Sequence, residues 1–167
     1  NGVLYGVCSN GGTRTSGKLN NESMVLTYQE LGHDLLAHNV DVMKKASESG
    51  CAVEFALNCP REGTDIRNIR SMNSYLNAVS NLIQKYPNTP VYLRFAAEFD
   101  IWSDLADPDD FRDAFQYVSD YFKDRNSNVA MVWSPSQASN WYLDIDEYYP
   151  GDAYVDWVGV SLYATKY

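Results

Sequence analysis

The sequence predicts an α/β fold of parallel βαβ units, and three observations lead there. Short apolar segments alternate with longer stretches of helical period along the chain. Six such strands over 167 residues give about 28 residues per strand–helix unit, the spacing of consecutive right-handed crossovers. Residue types able to do chemistry gather at the C-terminal ends of the apolar segments, whose bodies are largely apolar.

Taken in order, Val3 to Cys8 is the first strand, followed by the loop SNGGTRTSGK, and Met24 to Tyr28 is the second. Leu35, Leu36, Val40, Met43 and Ala46 then recur with a helical period, and Gly50 stands where a helix C-cap belongs. Cys51 to Leu57 is the third strand. Thr64 is the expected N-cap of one long helix with Ile66, Ile69, Leu76, Val79 and Ile83 on its core face, stopping before Pro87. Val91 to Ala96 is the fourth strand. Asp107 and Pro108 open the next helix, because proline suits the first helical position, and its core face is Phe111, Phe115, Val118 and Phe122. Val129 to Trp133 is the fifth strand and Val155 to Leu162 the sixth.

An open doubly wound sheet would carry a phosphate-binding fingerprint after its first strand. SNGGTRTSGK has neither GxGxxG nor P-loop spacing. The preferred class is therefore a (β/α)8 TIM barrel, which takes about 250 residues when complete. The chain is read as one domain over residues 1–167, a fragment with about the first six β/α units, truncated before strands seven and eight. Unpaired first and sixth strands would leave two edges, so further barrel residues, a second chain or an oligomer are expected to complete the fold.

Composition narrows the function classes. A net charge of −9 and a pI near 4.5 lack the basic footprint of a nucleic-acid binder. No apolar run approaches the ~20 residues of a membrane span. The start at Asn1 and the lack of a signal-peptide pattern read as a processed or trimmed segment. Cys8, Cys51 and Cys59 have no metal-like spacing and are expected as small buried thiols. The Asn21-Glu22-Ser23 sequon matters only in a eukaryotic secreted protein. His33 and His38 are spaced poorly for a shared metal, and DLADPDDFRD lacks the Gly and Glu of a calcium loop. No metal and no cofactor are expected. The 13 Tyr and 4 Trp suit either sugar stacking or core packing.

In a barrel the strand C-termini converge on one pocket. The expected rim residues are Asn58 on strand three, Glu98 and Asp100 on strand four, Trp133 and Ser134 on strand five, and Ser161 and Tyr163 on strand six. VYLRFAAEFD is the sharpest segment, with Arg94 and Glu98 four residues apart. In a continuous strand the two would point the same way about 13 Å apart, with Arg94 in the interior below Glu98. A buried guanidinium requires a carboxylate partner, so Arg94 is expected to position a second acid from another strand. An acid plus a second carboxylate is the pair that glycoside hydrolysis uses.

PVYLRFAAEFDIW, NVAMVWSPS and YYPGDAYVDWVGVSLY resemble, in that order, strands four, five and six of family 26 glycoside hydrolases, the β-mannanase-type enzymes of a retaining (β/α)8 clan. The likeness runs from about residue 50 to the C-terminus, and YPGDAYVDWVG is its most specific element. It is nearest to family 26-like modules of bacterial secreted or cell-surface proteins. The resemblance implies Glu98 as general acid/base, Arg94 as support for the nucleophile, Tyr163 beside that nucleophile, and Trp102 and Trp133 lining sugar subsites. The nucleophile itself would come from strand seven. Ala97 stands where the family has His, and Asp100 where it usually has Asn. A second carboxylate at Asp100 should raise the proton affinity of at least one of the pair. The implied activity is retaining hydrolysis of a β-linked polysaccharide, mannan-type first, by a secreted or cell-surface protein. The alternative is a non-catalytic carbohydrate-binding or structural module on the same barrel.

Overall fold

The computed structural model describes residues 6–8 by their backbone, and residues 23–58, 66–101, 107–136 and 143–162 in full. Six strands pair in parallel in chain order: β1 (Gly6–Cys8), β2 (Met24–Glu30), β3 (Ala52–Asn58), β4 (Val91–Phe95), β5 (Val129–Trp133) and β6 (Trp157–Val158). Helices α1 (Ala37–Ser49), α2 (Asn73–Gln84) and α3 (Pro108–Lys123) occupy the crossovers from β2 to β3, β3 to β4 and β4 to β5. The architecture is that of successive β/α units of a barrel, open between β1 and β6.

One face of the sheet is sealed. Val53, Phe55 and Leu57 of β3, Leu93 and Phe95 of β4, and Met131 of β5 form one apolar cluster with the helices. α3 contributes Phe111, Phe115, Val118 and Phe122, all buried as the helical period predicts. Phe95 and Phe115 meet edge to face with centroids 6.0 Å apart. Asp107 caps α3 by accepting from the Asp110 N–H at 3.0 Å. Gly50 ends α1 at φ +70°, which a glycine adopts without steric cost.

Three elements differ from the sequence reading. The long helix expected over residues 64–83 is divided into a 3-10 turn at Ile66–Ser71 and α2, with Met72 between them at φ −94°, ψ 23°. Ser71 Oγ donates to the Asn68 carbonyl, a back-bond that competes with the helical ladder. Ile66, Ile69, Leu76, Val79 and Ile83 are nevertheless all buried, while Thr64 lies outside the described residues.

α1 buries Asn39, Val42, Met43 and Ala46, whereas Leu36 and Val40 are 50% and 38% exposed. The helix is turned by its polar anchor. Asn39 Nδ2 donates to the Tyr28 carbonyl at 3.0 Å and to Gln29 Oε1 at 2.9 Å. Gln29 Oε1 also accepts from the Leu36 N–H, supplying the N-terminal cap that Leu36 cannot.

The sixth strand, expected over Val155–Leu162, is paired as a strand at Trp157–Val158, with one further bridge between Ser136 and Ser161. Pro135 has no N–H, so beyond β5 the ladder can run in one direction only. It does: Gly159 N–H donates to Trp133 O at 2.8 Å and Ser161 N–H to Pro135 O at 3.3 Å. Trp157, Val158, Val160 and Leu162 are left exposed along this edge.

The α1 assignment has a direct check in denaturant unfolding. Met43→Ala should cost about 2–5 kcal/mol, and Val40→Ala less than about 0.5 kcal/mol. Equal losses at the two positions would contradict this orientation of the helix.

Candidate active site

The opposite face of the sheet is open and concave. By alternation, each residue that points away from the helices points into it. The strand register sets two rows across this face: Leu26, Glu54, Tyr92 and Ala130, then Tyr28, Ala56, Arg94, Val132 and Trp157. Of these, Leu26, Glu54, Tyr92, Arg94, Val132 and Trp157 border a groove of about 850 Å³ that also includes Ser134, Gly159 and Ser161. Gly159 permits close approach there, because a Cβ would come within 3.2 Å of Ser134 Oγ and 3.3 Å of Val132 Cγ1.

Arg94 is interior as expected, only 8% exposed. One guanidinium nitrogen donates to Ser161 Oγ at 2.6 Å, and another lies 3.6 Å from Glu54 Oε1. The acid from another strand is thus Glu54, one row below on β3, which the sequence reading did not single out. Its signal was present: Glu54 is the lone charge in AVEFALN, with the same parity as Asn58. Burial raises the Glu54 carboxyl above the ordinary 4.5, and the Arg94 charge draws it back by less.

Glu98 stands past the end of β4, half-buried. The strand stops at Phe95 because Ala96 and Glu98 adopt left-handed backbone, φ +49° and +57°. The simple alternation from Arg94 to Glu98 therefore does not apply. Each such non-glycine residue costs about 1–2 kcal/mol and persists only where its surroundings enforce it. Here the neighbouring segments on both sides do so. Ala96 N–H donates to Leu57 O at 2.9 Å, and Glu98 N–H to Ser134 O at 2.8 Å.

The other rim candidates divide. Ser134 is buried beside Gly159 in the groove wall, and its Oγ has no hydrogen-bond partner among the described residues. Ser161 is the hydroxyl that Arg94 reaches. Asn58 ends β3, with its carbonyl accepting the Leu31 N–H at 2.8 Å. Asp100 is 4% exposed; Oδ1 accepts the Ser136 N–H at 2.7 Å, tying the β4 turn to the segment after β5. Oδ2 has no partner among the described residues.

Trp133 corrects the subsite expectation. It shares the parity of Met131 and faces the helix layer, 7% exposed, with Phe99 at 5.7 Å and Tyr149 at 5.3 Å between ring centroids. The ring packs inside an aromatic cluster and offers no open face for stacking. Trp102 and Tyr163 lie outside the described residues, as does Cys59, while Cys51 is buried.

The YPGDAYVDW segment does its work on the scaffold. Gln116, Ser119 and Lys123, along one face of α3, donate to the carbonyls of Pro150, Tyr154 and Ala153. Gly151 turns the chain at φ +101°. Asp156 accepts the Met131 N–H at 2.7 Å, donates its own N–H to Met131 O, and pairs with Lys123 at 3.3 Å. This clamp sets the start of β6. Among the described residues no cluster of His, Cys, Asp or Glu could hold a metal, and no helix is long and apolar enough to cross a membrane.

Asp100 makes a pH-dependent prediction. Burial pushes its carboxyl above the ordinary 3.8; backbone N–H bonds from Ser136 and from Asp100 itself oppose this, and the Glu98 charge adds a smaller upward push. Between 3.8 and the raised value the native state binds more protons than the unfolded state, so stability falls as pH rises through that window. Asp100→Asn keeps an acceptor for Ser136 and removes the titration. Its melting temperature relative to wild type should increase with pH across the window; a pH-independent difference would refute the shift.

The family model "Glycosyl hydrolase family 26" matches residues 47–167, more than half the chain. A β-1,3-xylanase from an Alcaligenes species is 31% identical over 113 residues, 60% of this chain and 22% of that protein. A second β-1,3-xylanase, from a Vibrio species, is 33% identical over 87 residues, 46% of this chain and 17% of that one. The chain thus spans about a fifth of these curated relatives. Among solved structures, a family 26 β-mannanase from Bacteroides ovatus superimposes with a TM-score of 0.68 at 18% identity, covering 95% of this chain and 61% of that one. A family 26 protein from a Muricauda species gives 0.62 at 15% identity, covering 83% and 50%. Their common fold is the barrel whose first units the sheet reproduces, and with the family match over residues 47–167 the chain belongs to glycosyl hydrolase family 26.

Proposed function

We propose that this chain carries the acid/base half of a retaining glycosidase that cleaves a β-linked polysaccharide, with Glu98 as the proton donor. The observation that carries the reading is the Glu98 position itself. A carboxylate stands at the C-terminal end of β4, on left-handed backbone pinned from two neighbouring segments, inside the region of the family match. Strain retained at one such point is a mark of functional use.

In this mechanism Glu98 protonates the glycosidic oxygen while a second carboxylate attacks the anomeric carbon, forming a glycosyl-enzyme. Glu98 then takes a proton from the water that releases the sugar. The two carboxyls work about 5 Å apart. By the family resemblance the nucleophile belongs to strand seven, with Arg94 supporting it and Tyr163 beside it. Ser134 Oγ, unpartnered among the described residues, suits a sugar hydroxyl. Asn58, Asp100, Ser161 and Trp102 complete the proposed rim, and Trp133 supports it from the helix side. The relatives and the neighbour are named for β-1,3-xylan and β-mannan, which makes these backbones the first to test. Polymers of this kind lie outside the cell, so a secreted or cell-surface location goes with the reading.

Ala97 favours a second reading. It is a buried methyl where the resemblance has an imidazole, and a barrel without that group could bind glycan without cutting it.

The full-length protein should hydrolyse β-1,3-xylan or β-mannan and release a first-formed sugar of retained anomeric configuration by proton NMR. Glu98→Gln should lower turnover by about 10²–10⁴-fold. Undiminished hydrolysis in that variant would sink the acid/base assignment. Glycan binding with no hydrolysis in wild type would support the second reading.

A further inference from the structure

Arg94 presents a problem of aim. An arginine side chain has several free torsions, and a guanidinium held in a groove wall must be restrained to act at one point. Among the described residues bordering the groove, Arg94 is the single cation and Glu54 the single carboxylate. They sit on adjacent strands, yet not side by side. Arg94 is in register with Ala56, and Glu54 with Tyr92, so Glu54 approaches the guanidinium from one row nearer the N-terminal end of the barrel. Ser161 holds the same guanidinium from the far side, across β5, at 2.6 Å. Two anchors on opposite flanks constrain a planar fork in a way that neither could alone.

We infer that Glu54 is a positioning residue for Arg94, holding the guanidinium so that its remaining N–H groups face the reacting end of the groove. The geometry suits this role. The separation of 3.6 Å is close enough for charge attraction and looser than a direct hydrogen bond, so Glu54 steers the guanidinium without tying up a donor in a tight pair. Ala56, the residue level with Arg94 on β3, is small and leaves the space through which Glu54 reaches it. For its kinetic consequence this inference rests on the glycosidase reading above; the ordering of Arg94 does not.

Two measurements on the full-length protein test it. The first is NMR of rotation about the Cζ–Nε bond of Arg94, which is slow when the guanidinium is held from both sides. Glu54→Gln should speed that rotation at least several-fold, while Glu54→Asp, which keeps the charge on a shorter arm, should have a smaller effect. Unchanged rotation in Glu54→Gln would overturn the inference, whatever the protein hydrolyses. The second is kinetic. Glu54→Gln should lower kcat about 10- to 100-fold with KM within about twofold of wild type, the pattern expected when a group acting on the transition state loses its aim. In an Arg94→Met background the same substitution should cost nothing further. Losses that multiply in the double variant would show that Glu54 acts apart from Arg94 and would also overturn the inference. Absent hydrolysis in wild type would instead remove the glycosidase reading, leaving the rotation measurement to decide the role of Glu54.

Discussion

A parallel sheet whose described helices cover one face imposes a two-residue period on every strand, and the other properties of this chain follow from that constraint. Residues such as Phe55, Leu93 and Met131 are committed to the helix layer. Their sequence neighbours Glu54, Arg94 and Val132 are committed to the groove. A shift of one residue in a strand would exchange its two sets, putting the Glu54 carboxylate (β3) or the Arg94 guanidinium (β4) under the helices. The Arg94 environment is therefore a consequence of register as much as of local chemistry.

The same constraint explains where the backbone departs from regularity. β4 cannot continue past Phe95 as a strand and still deliver Glu98 as it does, so Ala96 and Glu98 adopt left-handed torsions. The cost is offset by hydrogen bonds to Leu57 on one side and Ser134 on the other. Asp100 repeats the device with a side chain, accepting from Ser136. The β4 turn is thus bound at three points to the segments on either side. Desolvation in this turn raises the Asp100 carboxyl, and the same effect raises Glu54 on the neighbouring strand.

Sequence motifs and function do not coincide evenly here. YPGDAYVDWVG, the stretch that carries the resemblance in the sequence, is occupied with holding α3 against the start of β6 through carbonyl acceptors and Asp156. Trp133 likewise belongs to a ring cluster with Phe99, Tyr148 and Tyr149 through their shared contacts. Such residues are retained by packing and bonding that surround the site, and a motif by itself does not distinguish the two uses. Glu54 illustrates the converse, since it lies in no motif and its carboxylate reaches Arg94 from one row below.

The sequence by itself determined the alternation of strands and helices, the core face of α3, the Asp107 cap, the Gly50 stop and the interior setting of Arg94. Each depends on local periodicity or on the backbone preferences of single residues, which act within a few positions along the chain. What only the tertiary structure decided depends on contacts between distant segments. Asn39 reorients α1 through bonds to β2. The register of β4 on β3 leaves Glu54 one row from Arg94, within ion-pair reach. The end of β4 answers to acceptors on β3 and beyond β5, and Pro135 shortens the pairing of β6 from the neighbouring strand. No window of sequence contains both partners of these interactions, so their outcome was set only when the sheet assembled.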